Sequence, residues 1–223
     1  MAKIDLHLHS IHSKPNGDAI KWESLHDSIS KLIKNDVKIA AFSDHNIFNV
    51  EFYKEAFNLA KTANILILPA IEINVVRLDG MIANIIFVFE ENLTNEQLQE
   101  ISSIATKEIP KRGISITKCN EIFSNFKTIK IPHVGKSDFF KYDDLEKIEF
   151  DAIEISNDNH KNYLSVIKKE NFSSSIVAFS DTHKWNEYPE LNLLITDIDL
   201  NELSFNELKN KLNENKNWTK RRY

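Results

Sequence analysis

Five short apolar segments of this chain run straight into histidine, aspartate or glutamate. KIDLHL leads into His9, KIAAFS into Asp44 and His45, and ILILPAIEI carries Glu72. TIKIPH ends on His133, and IVAFS runs into Asp181 and His183. Segments this short and this rich in Ile, Leu and Val read as strands buried on both faces. Such strands belong to parallel sheets, whose crossovers are helices. In that architecture the polar residues collect along one edge of the sheet, where α/β proteins build their active sites.

The rest of the chain fits the alternation. Strands are predicted at Lys3–Leu8, Lys38–Ser43, Ile65–Ile73, Thr128–His133, Ala152–Ser156, Ile176–Ser180 and Leu193–Ile198. Pro69 suggests a break or an edge within the third of these. Helices are predicted at Trp22–Asn35, with apolar residues at Trp22, Leu25, Ile29, Leu32 and Ile33, and at Val50–Ala63. Further helices fall at Cys119–Phe126, His160–Lys169 and Ser204–Leu212, and one runs from Thr94, an N-cap with Gln97 three residues on, to Lys107. Val75–Phe89 reads as a hairpin turning at Asp79-Gly80. No repeat or Pro/Gly/Ser-rich linker divides the chain, so residues 1–223 are expected to form a single α/β domain. An eight-fold barrel usually needs about 250 residues, so any barrel here is small or incomplete.

Composition narrows the partners. A formal net charge of -5 argues against generic binding to nucleic-acid backbones. The single cysteine, Cys119, excludes an internal disulfide and reads as a half-buried small hydrophobe. No apolar run approaches membrane-spanning length, and no leader is evident, so a cytoplasmic protein without a membrane partner is expected. The basic end NWTKRRY reads as a solvated tail.

The strand-end residues suggest metal chemistry. His7-x-His9 puts two imidazoles on one face of a strand, because side chains alternate with period two, and Asp181-x-His183 repeats the device. Nitrogen and oxygen donors of this kind suit Zn, Mn or Fe, and a carboxylate such as Glu72 can bridge two ions. Any one such histidine alone is ordinarily a hydrogen-bonding residue; five strand ends bearing them together are not. His26 and His160 lie away from strand ends and read as ordinary surface or helix residues. With only 4 glycines there is no phosphate-cradling loop, and no serine sits in a G-x-S-x-G elbow.

These motifs together resemble the polymerase and histidinol phosphatase (PHP) family. They are Asp5-x-His7-x-His9-Ser10, FSDHN at 42–46, AIE at 70–72, PHVGK at 132–136 and FSDTH at 179–183, in the family's order. The resemblance implies a distorted seven-stranded (β/α) TIM-like barrel holding two or three divalent ions (Zn, Mn or Fe). It implies a phosphoesterase working through a metal-bound hydroxide. Carried over, His7, His9, Glu72 and Asp181 share one ion, Glu72 and His133 hold a second, and His45 and His183 a third. Either His12 or Asp18 completes the third position, Asp18 being favoured because its stretch reads as a loop that folds back. SDHNIFNVEFYKEA further resembles PHP domains found beside SMC-like ATPases, which implies a separate ATPase chain as a possible partner.

Asn84 stands where the family carries a histidine, and an amide oxygen is the weaker donor, so the second ion is expected to be weak or absent. Lys136 reads equally as a contact for a substrate phosphate and as a solvated surface lysine. The activity expected is hydrolysis of a phosphoester in a nucleic acid or nucleotide. The competing readings are a histidinol-phosphatase-like enzyme of small phosphomonoesters and a metal-stabilised regulatory module without turnover.

Overall fold

The first three strands form where the apolar runs predict them. In the computed structural model, which describes residues 1–16, 19–189 and 194–221, β1 (Ala2–Leu8), β2 (Val37–Phe42) and β3 (Leu66–Val76) lie parallel and adjacent. The crossovers are α1 (Leu25–Lys34) and α2 (Val50–Lys61). Each starts where a short polar side chain takes up a free amide: Ser24 accepts from Asp27 N, and Asn49 from Phe52 N. Pro69 does not break β3. It lies just before the level at which the next strand joins, so only one neighbour is present where its amide is missing.

Past Glu72, β3 continues to Val76, turns at Asp79-Gly80 and returns antiparallel as β4 (Ile82–Phe89). α3 (Asn95–Glu108) opens on the expected Thr94–Gln97 capping box. After β5 (Ile114–Ser115), α4 spans Ile116–Glu121, earlier than the Cys119–Phe126 predicted, because Ser115 accepts from Lys118 N and starts the helix there. β6 (Thr128–Gly135) pairs antiparallel with β4. α5 (Tyr142–Leu145), β7 (Ala152–Ile155), α6 (Lys161–Ile167) and β8 (Ser175–Val177) follow, with β6, β7 and β8 parallel. β9 (Leu194–Ile198) pairs antiparallel with β1 and, after α7 (Phe205–Leu212), β10 (Thr219–Arg221) pairs with β9. The basic end is therefore not a free tail over these residues: Lys220 reaches Asp197 at 2.8 Å, and the open edge of β9 supplies backbone partners.

The strands connect in the order β10-β9-β1-β2-β3-β4-β6-β7-β8, with β5 beside β3. Eight of these strands point one way, and β4 and β9 run against their neighbours. Beyond β8 the chain returns to β1: Leu8 bridges Thr182 in parallel, and His9 N donates to Thr182 O at 3.1 Å.

The buried apolar residues divide between the two faces of this sheet. One face takes the helices, with Ile29 and Leu32, Ala56 and Ala60, Ile101, Cys119 and Val166 packed onto it. The other carries Ile39, Ala41, Leu68, Ala70, Ile86, Val88, Ile129, Ile131, Ala152 and Val177. Against these α7 sets Phe205, Leu208 and Leu212, all buried, each worth about 1.5–3 kcal/mol relative to exposure. Step two residues further along each strand on this second face, and the side chains reached are Glu72, Asn84, His133 and Glu154. β1 joins by an irregularity. Its register shifts between Asp5 and Leu8, so His7 comes to the same face as Leu6.

Gly135 sets the spacing at the end of β6. A methyl group on it would lie 2.5 Å from Ile155 Cγ2 and 2.6 Å from Ile155 Cβ, inside the β6–β7 contact. Gly135→Ala is expected to force these strands apart and to cost about 1–3 kcal/mol of stability in urea unfolding. A change below about 0.5 kcal/mol would show that the neighbour gives way freely.

Candidate metal centre

Glu72 lies at the middle of a buried cage. Its Oε2 is 3.2 Å from His7 Nε2, 3.5 Å from His9 Nε2 and 3.1 Å from His45 Nδ1, while Oε1 is 3.3 Å from His133 Nε2. Asp181 closes the far side, with Oδ1 3.3 Å from His7 Nε2 and 3.2 Å from His9 Nε2. The turns that aim His45 and Asp181 use left-handed backbone at Asn46 (φ 54°) and Asp181 itself (φ 53°), a conformation that Asn and Asp tolerate best among residues with a side chain. The His183 ring stands 4.2 Å from that of His9. His7, His9, Glu72 and His133 are buried, whereas His45, Asp181 and His183 are half-buried at the mouth.

The donor atoms fall into three interlocking groups, each within 4.8 Å: His7, His9 and Asp181; His7, Glu72 and His133; His9, His45 and His183. Carboxylate oxygens and imidazole nitrogens at this spacing suit borderline divalent ions. His133 gives an independent indication. Both its ring nitrogens are buried and make no hydrogen bond among the described residues, although Nε2 has carboxylate oxygens at 3.2 and 3.3 Å. Buried polar atoms ordinarily have a partner, and an ion would supply one. The residues present therefore fit a divalent metal.

Sequence reading missed Glu154. Its carboxylate reaches His7 Nδ1 at 2.9 and 3.1 Å and His133 Nε2 at 3.2 Å. A proton on His7 Nδ1 shared with Glu154 leaves Nε2 as the free donor atom, the arrangement in which a carboxylate orients a ligating histidine. The signal was present: AIEI occurs twice, at Ala70–Ile73 and Ala152–Ile155, and each time delivers a glutamate to this face. Lys136 is not a surface lysine. It is buried, with Nζ 2.7 Å from Asp181 Oδ2 and 3.1 Å from Glu154 Oε1. Asn84 does reach the cage, where its Nδ2 donates to Glu72 Oε1 at 2.8 Å.

Other strand-end residues serve the frame. Asp5 accepts from Ser180 N and Tyr188 OH, both at 3.1 Å. Asp44 accepts from Ser10 N at 2.6 Å and Ser10 Oγ at 2.5 Å. His12 lies apart from the three groups, 3.3 Å from Asn49 Nδ2 and edge-on to Phe52; Asp18 lies outside the described residues. His26 is exposed on α1, and His160 precedes α6 with its ring against Phe139.

Without an ion the cage polarises itself. Burial alone would lower the His7 pKa, but Asp181, Glu154 and Glu72 outweigh it and raise it well above the usual imidazole range. Burial wins at His9, which falls to about 4, and lowers His133. Burial opposes the ionisation of Glu72 and Asp181, yet His45 and His7 hold Glu72, and His7 and Lys136 hold Asp181, well below the carboxylate range.

Asp44 behaves oppositely. Burial lifts it from 3.8 to about 6 against its hydrogen bonds from Ser10. Between those values the folded chain holds a proton that the unfolded chain has released. Its contribution to stability is therefore full below about pH 4 and lost as pH rises through 6, a loss of about 3 kcal/mol. Asp44→Asn has no such titration. In urea unfolding of metal-free protein the variant should gain on the wild type by about that amount between pH 4 and 7; a constant difference would refute the assignment.

No protein-family model matches this chain, and none of the curated proteins matches it. Solved structures do. A protein from Bifidobacterium adolescentis, provisionally named a metal-dependent phosphoesterase, superposes with a TM-score of 0.59 over 95% of this chain and 96% of its own, at 10% identity. An amidohydrolase from Chromobacterium violaceum, solved with sulfate and no metal, superposes with a TM-score of 0.55 over 82% and 88%, at 12% identity. At such identities the likeness is one of fold.

Proposed function

We propose that this protein is a metal-dependent hydrolase of phosphoesters, acting on a nucleotide or a nucleic-acid end. The observation that carries it is the set of three donor groups sharing His7 and His9 at one edge of the sheet. The order of motifs resembling PHP domains and the fold shared with a phosphoesterase support it. So does the seven-strand run from β1 to β8 with its Leu8–Thr182 bridge, which we read as the distorted seven-stranded barrel of that family.

In this reading His7, His9, Glu72, His133, Asp181, His45 and His183 hold the ions. Divalent ions so placed supply Lewis-acid charge and acidify coordinated water. The side chains do the positioning. Glu154 fixes the His7 tautomer, and Ser13 Oγ lies 3.3 Å from His9 Nδ1. No protein nucleophile is assigned: Ser10 is spent on Asp44, and Ser180 accepts from Thr182 at 2.7 Å. Zn, Mn or Fe fits the donors. A separate ATPase chain as partner rests on the resemblance noted at residues 43–56. Among the described residues no helix is long and apolar enough to cross a membrane.

EDTA should abolish hydrolysis of p-nitrophenyl phosphate, nucleotides and oligonucleotides, and Mn or Zn should restore it. The substrate preferred across that panel separates the nucleic-acid reading from the small phosphomonoester one. Full activity after exhaustive metal removal would sink the proposal. Metal-free protein should also bind no inorganic phosphate in calorimetry, since Glu72, Glu154 and Asp181 then face the anion with charges of its own sign.

A further inference from the structure

The charges facing the cage do not call for a full set of divalent ions. Three carboxylates converge there, those of Glu72, Glu154 and Asp181, and one ammonium already lies among them. Lys136 Nζ is 2.7 Å from Asp181 Oδ2 and 3.1 Å from Glu154 Oε1, and the residue is only 6% exposed. Asp181 thus offers Oδ1 to His7 and His9 and Oδ2 to the lysine. Glu154 divides in the same way, with Oε1 to the lysine and Oε2 to His7 and His133. Glu72 Oε1 is covered by the amide of Asn84. Three negative charges less one positive leave two, the charge that a single divalent ion balances.

We propose that Lys136 is a resident cation that takes the place of one divalent ion in the carboxylate cage. The resting protein then holds one ion there, and a further ion binds only together with an anion. The inference rests on reading the cage as a metal centre. Its physical basis is that surplus charge buried away from water is costly unless compensated. A second divalent ion beside the ammonium would leave the cage with a net charge of two positive, which a phosphate dianion would balance. An ion on the all-imidazole group of His9, His45 and His183 is counted separately and is distinguished by position.

The test is a metal count on protein loaded with Mn and passed through gel filtration, with and without inorganic phosphate. Anomalous scattering assigns each ion its place. Wild-type protein is expected to hold one cage ion without phosphate and to gain another with it. Lys136→Met should hold one more cage ion than wild type in the absence of phosphate, and Lys136→Arg the same number as wild type. Two cage ions in anion-free wild type, or equal cage counts in wild type and folded Lys136→Met, would overturn the inference while leaving the metal centre intact. The wild-type comparison stands even if Lys136→Met does not fold. Absence of any ion from wild type with phosphate present would instead overturn the metal centre, and this inference with it.

Discussion

Asp181→Ala is expected to lower phosphoester hydrolysis by about 10³-fold or more. The carboxylate touches both imidazoles of the His7-x-His9 pair and is also a partner of Lys136. Its loss removes an anionic donor from an ion asked to supply several kcal/mol of transition-state stabilisation, each 1.36 kcal/mol being about tenfold in rate. His9→Ala, which takes a nitrogen from two of the three donor groups, should be as damaging. His26→Ala and His160→Ala should stay within about twofold of the wild-type rate, since neither residue belongs to the three donor groups. Steady-state rates on Mn-loaded protein, with circular dichroism to confirm folding, decide the matter. If His26→Ala matched His9→Ala, assigning ligands by strand end would be wrong.

Glu154→Ala is expected to destabilise the metal-free protein by about 3 kcal/mol in guanidinium unfolding. Removing one member of a buried ion pair strands the other, which typically costs about 3–5 kcal/mol. The lower figure applies because Asp181 still faces Lys136. Adding Lys136→Met to Glu154→Ala removes the stranded charge and should recover part of the loss. A single-variant cost below about 1 kcal/mol would mean that water reaches this corner and screens it.

Much of this was legible before any coordinates. Strands and crossover helices follow from apolar periodicity, and Thr94 caps α3 as its spacing from Gln97 predicts, whereas the caps at Ser24, Asn49 and Ser204 emerge only with the structure. His7, Glu72 and His133 converge from within β1, β3 and β6, and His9, His45, Asp181 and His183 from the segments that directly follow β1, β2 and β8, all at one edge of the sheet. What stayed hidden depends on contacts distant in sequence. Strict alternation puts Asp5 on the same face as His7, and only the register shift in β1 parts them, leaving Asp5 to Ser180 and Tyr188. Lys136 follows a glycine and looks like a loop lysine, until the carboxylates of Glu154 and Asp181 close over it. Glu154 was overlooked because one acid in an apolar strand does not by itself announce which face it takes.

The bridge between Leu8 and Thr182 also has a bearing on how the protein is made. His9 leaves the ribosome 172 residues before Asp181, and α7, which covers the apolar layer beneath the cage, comes later still. Contacts so distant in sequence form late and slowly, because loop closure must precede any reward. A nascent chain therefore presents isolated histidines and acids rather than an assembled coordination sphere. Metal capture therefore waits until the segment carrying Asp181 and His183 has folded back onto β1, so the ion is selected by the folded site and not by the nascent chain.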